Sequence, residues 1–346
     1  MKAVQYVEHG RPVEVRDIAV PEPGPGQVLL KVTAAGVCHY DLFVMDRPMA
    51  EFGLTGPLTL GHEAAGTVAM LGDGVTGFDA GDPVVVYGPW GCGTCHACAQ
   101  GKENYCTRAT KLGIRPPGLG APGAIAEYLL VDDPRHLVPI GDLDPVKTAP
   151  LTDAGLTPYH AIKRSLHKLY AGSTAVVLGA GGLGHIGVQL LRALSPAQVI
   201  ALDVTEDKLD LARHCGAHLA IRSDDRAAGI IREATDGLGA QLVLDFAGVQ
   251  PTVDLAVQCA AMDGDLTIVG IGGGVLSVGF GLLPYECSVS TPYWGSRPEL
   301  IELIELARQG AVSAHVEEYG LADAPAVYDR LHHGRIKGRA VILPGR

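Results

Sequence analysis

Apolar positions along the chain change rhythm near its middle. Up to about residue 145 they fall in short runs of β-forming residues, such as Val28 to Val32, Gly66 to Leu71 and Pro83 to Tyr87, broken by turn signals including PGPG and GDG. That rhythm predicts a small β-barrel. From about Ser173 strand-like and helix-like runs alternate: TAVVLG, then HIGVQLLRAL, then QVIALD, then EDKLDLARHCG. Such alternation predicts a parallel sheet with helical crossovers. LVLDF at 242 to 246 and LTIVGIG at 266 to 272 extend the sheet; beyond it Glu299 to Arg308 has a helical period and AVILP is strand-like. The expectation is an α/β protein of two domains. Residues 1–148 and 286–346 would form the barrel domain, and 149–285 a doubly wound parallel-sheet domain.

Composition agrees and narrows the function. A chain of 346 residues exceeds most single cores, and 47% hydrophobic residues with 46 glycines describe a turn-rich globular enzyme. The most apolar stretch, Thr174 to Leu194, carries several glycines with His185 and Gln189, which suit a buried strand, turn and helix rather than a membrane span. A net charge of -11 without any basic run excludes nucleic acid and points to a small uncharged substrate. The opening MKAVQYVEHG lacks the apolar core of a signal peptide. Eight cysteines, five of them at metal-like spacings, fit a reducing cytoplasm better than a disulfide scaffold.

The strongest local signal is Cys92, Cys95, Cys98 and Cys106, four thiols within fifteen residues of a glycine-rich loop. Thiolates so spaced close a tetrahedral zinc shell with no open position, so the expected role is structural. An iron–sulfur cluster fits less well, because seven residues precede the fourth cysteine where the bacterial ferredoxin run has three and then proline. A redox dithiol would leave two thiols unexplained, and a nucleic-acid zinc finger conflicts with the acidic charge. In the same half, GVCHYD and GHE each hold a metal-competent residue, Cys38 and His62. Spacing alone does not separate those two from packed side chains.

VVLGAGGLGHIG sets Gly179, Gly181 and Gly184 as G-x-G-x-x-G between a strand and a helix, with Gly182 and Leu183 inside the turn. These glycines permit a tight turn and close backbone approach to a pyrophosphate at the helix N-terminus. Asp203 follows at the end of QVIALD, where a carboxylate holds ribose hydroxyls and repels a 2'-phosphate, and Val204 offers no guanidinium. The loop therefore predicts NAD rather than NADP.

GHEAAGTV, GVCHYD, the four-cysteine loop and the glycine turn together resemble the zinc-containing medium-chain alcohol dehydrogenases, in the family's order over nearly the whole chain. VYGPWGCG, LTDAGLTPYHA and TPYWG are similar to the bacterial secondary-alcohol dehydrogenases that act on small and aryl-substituted alcohols and ketones. The resemblance implies a GroES-like barrel joined to a Rossmann domain, two zinc ions per chain and a homodimer or homotetramer. By it Cys38, His62 and Asp153 hold the catalytic zinc. Asp153 stands where many members have a second cysteine, which keeps the ligand charge at minus two. Its alternative is an N-cap on the following helix.

Glu63 matches the family carboxylate that approaches the metal during ligand exchange, and Asp41 the partner of the ligand histidine. Lys208 is implied beside the adenosine ribose, Val269 and Ile271 at the nicotinamide, and His39 and Arg339 at the pyrophosphate. Phe43, Leu54, Leu119 and Trp294 are implied to line an apolar substrate pocket. Tyr40 departs from the pattern, since the family usually has Ser or Thr there to begin a proton relay. Its phenol either relays or shapes the pocket.

The expected activity is hydride transfer between NAD and a secondary or primary alcohol, or the matching ketone or aldehyde. Three rivals are a reductase of the same superfamily without catalytic zinc, a zinc-stabilised NAD-binding sensor, and an interaction module that binds no NAD.

Overall fold

A computed structural model describes residues 1–346, which divide into two compact units: Met1–Asp153 with Gly295–Arg308 and Ser313–Arg346, and Ala154–Trp294 with Gln309–Val312. The first unit is built mainly from antiparallel pairings, the one between Val316–Gly320 and Arg339–Leu343 being parallel. A three-stranded antiparallel sheet runs Glu14–Asp17, Lys2–Tyr6, Leu58–Thr59. A seven-stranded sheet runs Val316–Gly320, Arg339–Leu343, Val28–Val37, Glu63–Leu71, Pro83–Val86, Leu137–Pro139, with Tyr128–Val131 also paired to Val28–Val37. Val4, Leu30, Val68, Val86, Ile125 and Ile342 meet in one buried core between them.

Register decides what this unit can do. Gly36 pairs with Glu63, and Val37 with Ala340. Cys38 leaves the end of one strand, His62 enters the start of its neighbour, and Arg339 opens the strand on the other side, so all three sit at one end of the sheet. Glycine at 36 is required for this arrangement: a Cβ there would lie 1.7 Å from Glu63 Oε2. Asp153 arrives from elsewhere, at the end of the 3-10 turn Ala149–Thr152, where the Thr152 hydroxyl donates to Ala149 O at 2.8 Å.

The second unit is a six-stranded sheet with every pairing parallel, ordered Leu219–Arg222, Gln198–Asp203, Thr174–Leu178, Ala240–Asp245, Ala260–Ile268, Ser288–Ser290. Its central strands are buried on both faces, as helical crossovers require. The order reverses between Thr174–Leu178 and Ala240–Asp245, and ligands of such sheets bind outside the carboxyl ends of the strands at that point.

Candidate active site

Cys38, His62 and Asp153 bring one donor atom each within 4.8 Å of one another. Cys38 Sγ stands 3.5 Å from Asp153 Oδ2, and His62 Nε2 stands 3.4 Å from the same oxygen. A tetrahedral zinc with ordinary bond lengths needs sulfur and oxygen ligands about 3.5 Å apart and nitrogen and oxygen ligands about 3.4 Å apart. The donor set therefore fits zinc in both chemistry and spacing. The N-cap alternative for Asp153 fails, because Gly155 is the N-cap residue of the helix Leu156–Ser165.

Cys38 is held by its own helix. It is the N-cap of His39–Met45, its sulfur accepts from Tyr40 N at 3.4 Å, and its N–H donates to Asp41 Oδ2 at 3.0 Å, closing a capping box. The other Asp41 oxygen lies 3.1 Å from His62 Nδ1. That contact directs Nε2 towards Asp153 and Cys38.

Charges around the cluster are balanced in pairs. Arg339 makes a two-pronged contact to Glu63, Nε to Oε2 at 3.0 Å and Nη2 to Oε1 at 2.6 Å, with both side chains buried. Its Nη2 also lies 3.5 Å from Asp153 Oδ2. Burial raises the Glu63 pKa and Arg339 only partly offsets it. Burial opposes a charge on His62, but Asp41, Cys38 and Asp153 raise its pKa well above the usual value. A divalent cation held by Cys38, His62 and Asp153 would compete with a proton for His62 Nε2.

The four-cysteine loop forms a second cluster. The Sγ atoms of Cys95 and Cys98 stand 3.4 Å apart, those of Cys95 and Cys106 3.9 Å, and those of Cys92 and Cys98 4.0 Å. Thiolates around a single zinc stand about 3.8 Å apart, whereas a multinuclear cluster spreads its cysteines over several metals. Hydrogen bonds from the Thr94 backbone lower Cys92 to about 6, while burial pushes Cys98 up to about 12. Four thiolates at this distance need a cation among them.

In the parallel-sheet unit, Gly179 leaves its strand at φ +88, a conformation that favours glycine, and a Cβ on Gly184 would come 1.9 Å from Gly179 O. The turn through Gly181, Gly182 and Leu183 thus packs directly onto the helix Gly184–Leu194. Asp203 is buried at its strand end; Oδ2 accepts from Ala180 N at 2.9 Å, and Oδ1 from Val204 N at 2.8 Å. Lys208 lies one turn into the next helix, Glu206–His214. Val269 N donates to Asp245 O at 2.8 Å, and Ile271, two residues further on, is exposed.

Residues 24–142 match the alcohol dehydrogenase GroES-like domain, and residues 182–309 match the zinc-binding dehydrogenase family. A NAD-dependent alcohol dehydrogenase of Sulfurisphaera tokodaii is 35% identical over 99% of this chain and 100% of its own length. The chain belongs to the zinc-binding alcohol dehydrogenases. Among solved structures, the alcohol dehydrogenase of Aeropyrum pernix superposes with a TM-score of 0.93 at 36% identity, covering 99% of this chain and 100% of that one. An acetophenone reductase from Geotrichum candidum, solved with NAD, superposes at 0.86 with 31% identity, covering 99% and 97%. The α/β architecture of a GroES-like domain and a Rossmann-like parallel sheet is the family's own.

Other residues singled out in the sequence fall as follows in this alcohol dehydrogenase. Tyr40 presents its ring edge-on to His62, with centroids 6.5 Å apart, and packs on Phe43 at 5.0 Å. Leu54 and Leu119 pack partly buried against the core of the same unit. His39, the first residue of the helix His39–Met45, is exposed. Trp294 belongs to the parallel-sheet unit, buried, at φ +53, with its ring edge-on to Tyr293. Arg339 carried an expectation as a pyrophosphate contact; the structure adds its pairing with Glu63, which no motif marks.

Proposed function

We propose that the chain is an NAD-linked alcohol dehydrogenase with one catalytic and one structural zinc, interconverting secondary and primary alcohols with ketones and aldehydes. The observation that carries this reading is the Cys38, His62 and Asp153 cluster, spaced as one tetrahedral ion requires. When bound, zinc supplies a Lewis acid that lowers the pKa of an alcohol, and NAD supplies the hydride acceptor. Cys38 and Asp153 provide two negative charges, His62 a neutral nitrogen aimed by Asp41, and Glu63 compensates the cation of Arg339.

Tyr40, edge-on to His62, stands at the position of the family's relay hydroxyl, where its phenol would accept the alcohol proton while passing its own to the cofactor ribose. Phe43, Leu54, Leu119 and Trp294 favour hydrophobic and aryl substituents. His39 and Arg339 serve the pyrophosphate, Lys208 and Asp203 the ribose, and Val269 with Ile271 the nicotinamide end.

A panel of primary, secondary and aryl alcohols with NAD and NADP, followed by absorbance of reduced nicotinamide, tests the activity. Absence of turnover by zinc-replete protein across that panel sinks it in favour of a non-catalytic NAD sensor. The cofactor reading makes a separate prediction. Asp203→Asn keeps an acceptor for the turn but removes the charge; a hydrogen bond to a charged group contributes roughly 1.5–3 kcal/mol, so the KM for NAD rises about tenfold or more while NADP gains ground. An unchanged KM for NAD rejects the ribose role.

A homo-oligomer, dimer or tetramer, and a cytoplasmic location complete the reading. The edge strand Ser288–Ser290 is unpaired on one side, and near it in sequence Val275, Val278, Phe280 and Leu282 are exposed, Phe280 by 95%. Edges and apolar patches of this kind are covered in stable proteins, and a second copy supplies the matching edge. All eight cysteines are unpaired, as a reducing compartment keeps them, and no helix is long and apolar enough to cross a membrane.

A further inference from the structure

Behind the ligand His62 the buried contacts continue one residue further than Asp41. Tyr328, on the helix Ala324–His332, donates its hydroxyl to Asp41 Oδ2 at 3.0 Å, and both side chains are buried. The same oxygen accepts from Cys38 N at 3.0 Å, which leaves Oδ1 to face His62 Nδ1 at 3.1 Å. One oxygen of Asp41 is thus occupied by two fixed donors, which orients the carboxylate so that the other faces the imidazole.

We propose that Tyr328 is a positioning residue for the catalytic metal: by anchoring Asp41 it fixes the His62 tautomer and ring orientation that present Nε2 to the ion. Burial, and then the charge of Asp41, hold the phenol pKa well above its ordinary value, so Tyr328 remains a donor across the working range. Tyr328 touches neither metal ligand side chains nor substrate in this scheme. Its effect passes wholly through Asp41, and the inference rests on the metal-centre reading of Cys38, His62 and Asp153.

Partners of metal-bound histidines, when lost, weaken metal binding by about 10–100-fold. Tyr328→Phe keeps the ring and its packing while deleting the donor. The test follows zinc release into a chromogenic chelator, with the Asp153→Ala chain identifying the phase that belongs to the four-cysteine site. In Tyr328→Phe the catalytic phase is expected to run about tenfold faster or more, the structural phase unchanged and the melting temperature close to the parent's. Asp41→Asn should show the same acceleration, and the double variant no more than Asp41→Asn alone, because the two act in series. A Tyr328→Phe release rate matching the parent, or full additivity with Asp41→Asn, overturns the proposal. A parent chain that yields only one zinc equivalent overturns the metal-centre reading instead.

Discussion

Asp153→Ala lowers kcat/KM for alcohol oxidation by three orders of magnitude or more and leaves the chain with only its four-cysteine zinc. The change removes the donor that stands 3.5 Å from Cys38 Sγ and 3.4 Å from His62 Nε2, so two protein ligands remain where catalytic zinc takes three. It also strips one of the two negative charges that neutralise the ion. Lewis-acid stabilisation contributes several kcal/mol to such a step, and each 1.4 kcal/mol is a factor of ten in rate. Metal analysis and turnover are read on the same preparation. Asp153→Cys restores a charged donor and is expected to keep both metals; an Asp153→Ala chain with full zinc content and parental turnover would rule out ligation by Asp153.

The second large effect is on stability. Cys98→Ala opens the four-sulfur shell, and the melting temperature falls by about 10 °C or more. From Cys92 to Gly113 the chain forms only the 3-10 turns Cys98–Gln100, Glu103–Tyr105 and Thr110–Leu112, with no strand or α-helix, so a metal among the four sulfurs is a principal tie for this loop. Loss of a structural metal belongs to the mutations that cost about 4 kcal/mol or more, and in domains of this size each kcal/mol moves the melting temperature by about 2–4 °C. The thiols left behind add to the cost: Cys98 is buried beside Gly91 and Glu103, and a variant side chain there must sit against ligands deprived of their cation. Calorimetry of the variant and of chelator-treated parent should give the same displacement. A variant that melts with the parent would remove the structural role from this cluster.

Local chemistry made much of this legible before any fold was known. The four-cysteine spacing and the glycine turn are compact signals, because their donors and close approaches lie within a few residues of each other. The central strands, Thr174–Leu178 and Ala240–Asp245, are apolar throughout and could be read directly. The edge strands Leu219–Arg222 and Ser288–Ser290 could not, since both are only half covered and their residues carry no period. Cys38, His62 and Asp153 needed family resemblance, because what assembles them is register: Gly36 opposite Glu63, and a 3-10 turn that delivers Asp153 from another part of the chain. Tyr328 carries no signal in the sequence. Its hydroxyl meets Asp41 across 287 residues, and nothing in AVYDRL distinguishes it from a core aromatic.

The same long separations set an order of events at the ribosome. Glu63 emerges 276 residues before the arginine that pairs with it, a delay of roughly 15–55 s at ordinary rates of elongation. Until Arg339 arrives to close its strand against Val28–Val37, the pocket behind the catalytic cluster holds a carboxylate with no cation, a state that favours a proton on Glu63 or an open sheet end. The nascent barrel can therefore complete neither its apolar core, which takes in Val327, Ala340 and Ile342, nor its charged floor until the strand Arg339–Leu343 emerges, and on the metal-centre reading loading at Cys38 and His62 would be a late step.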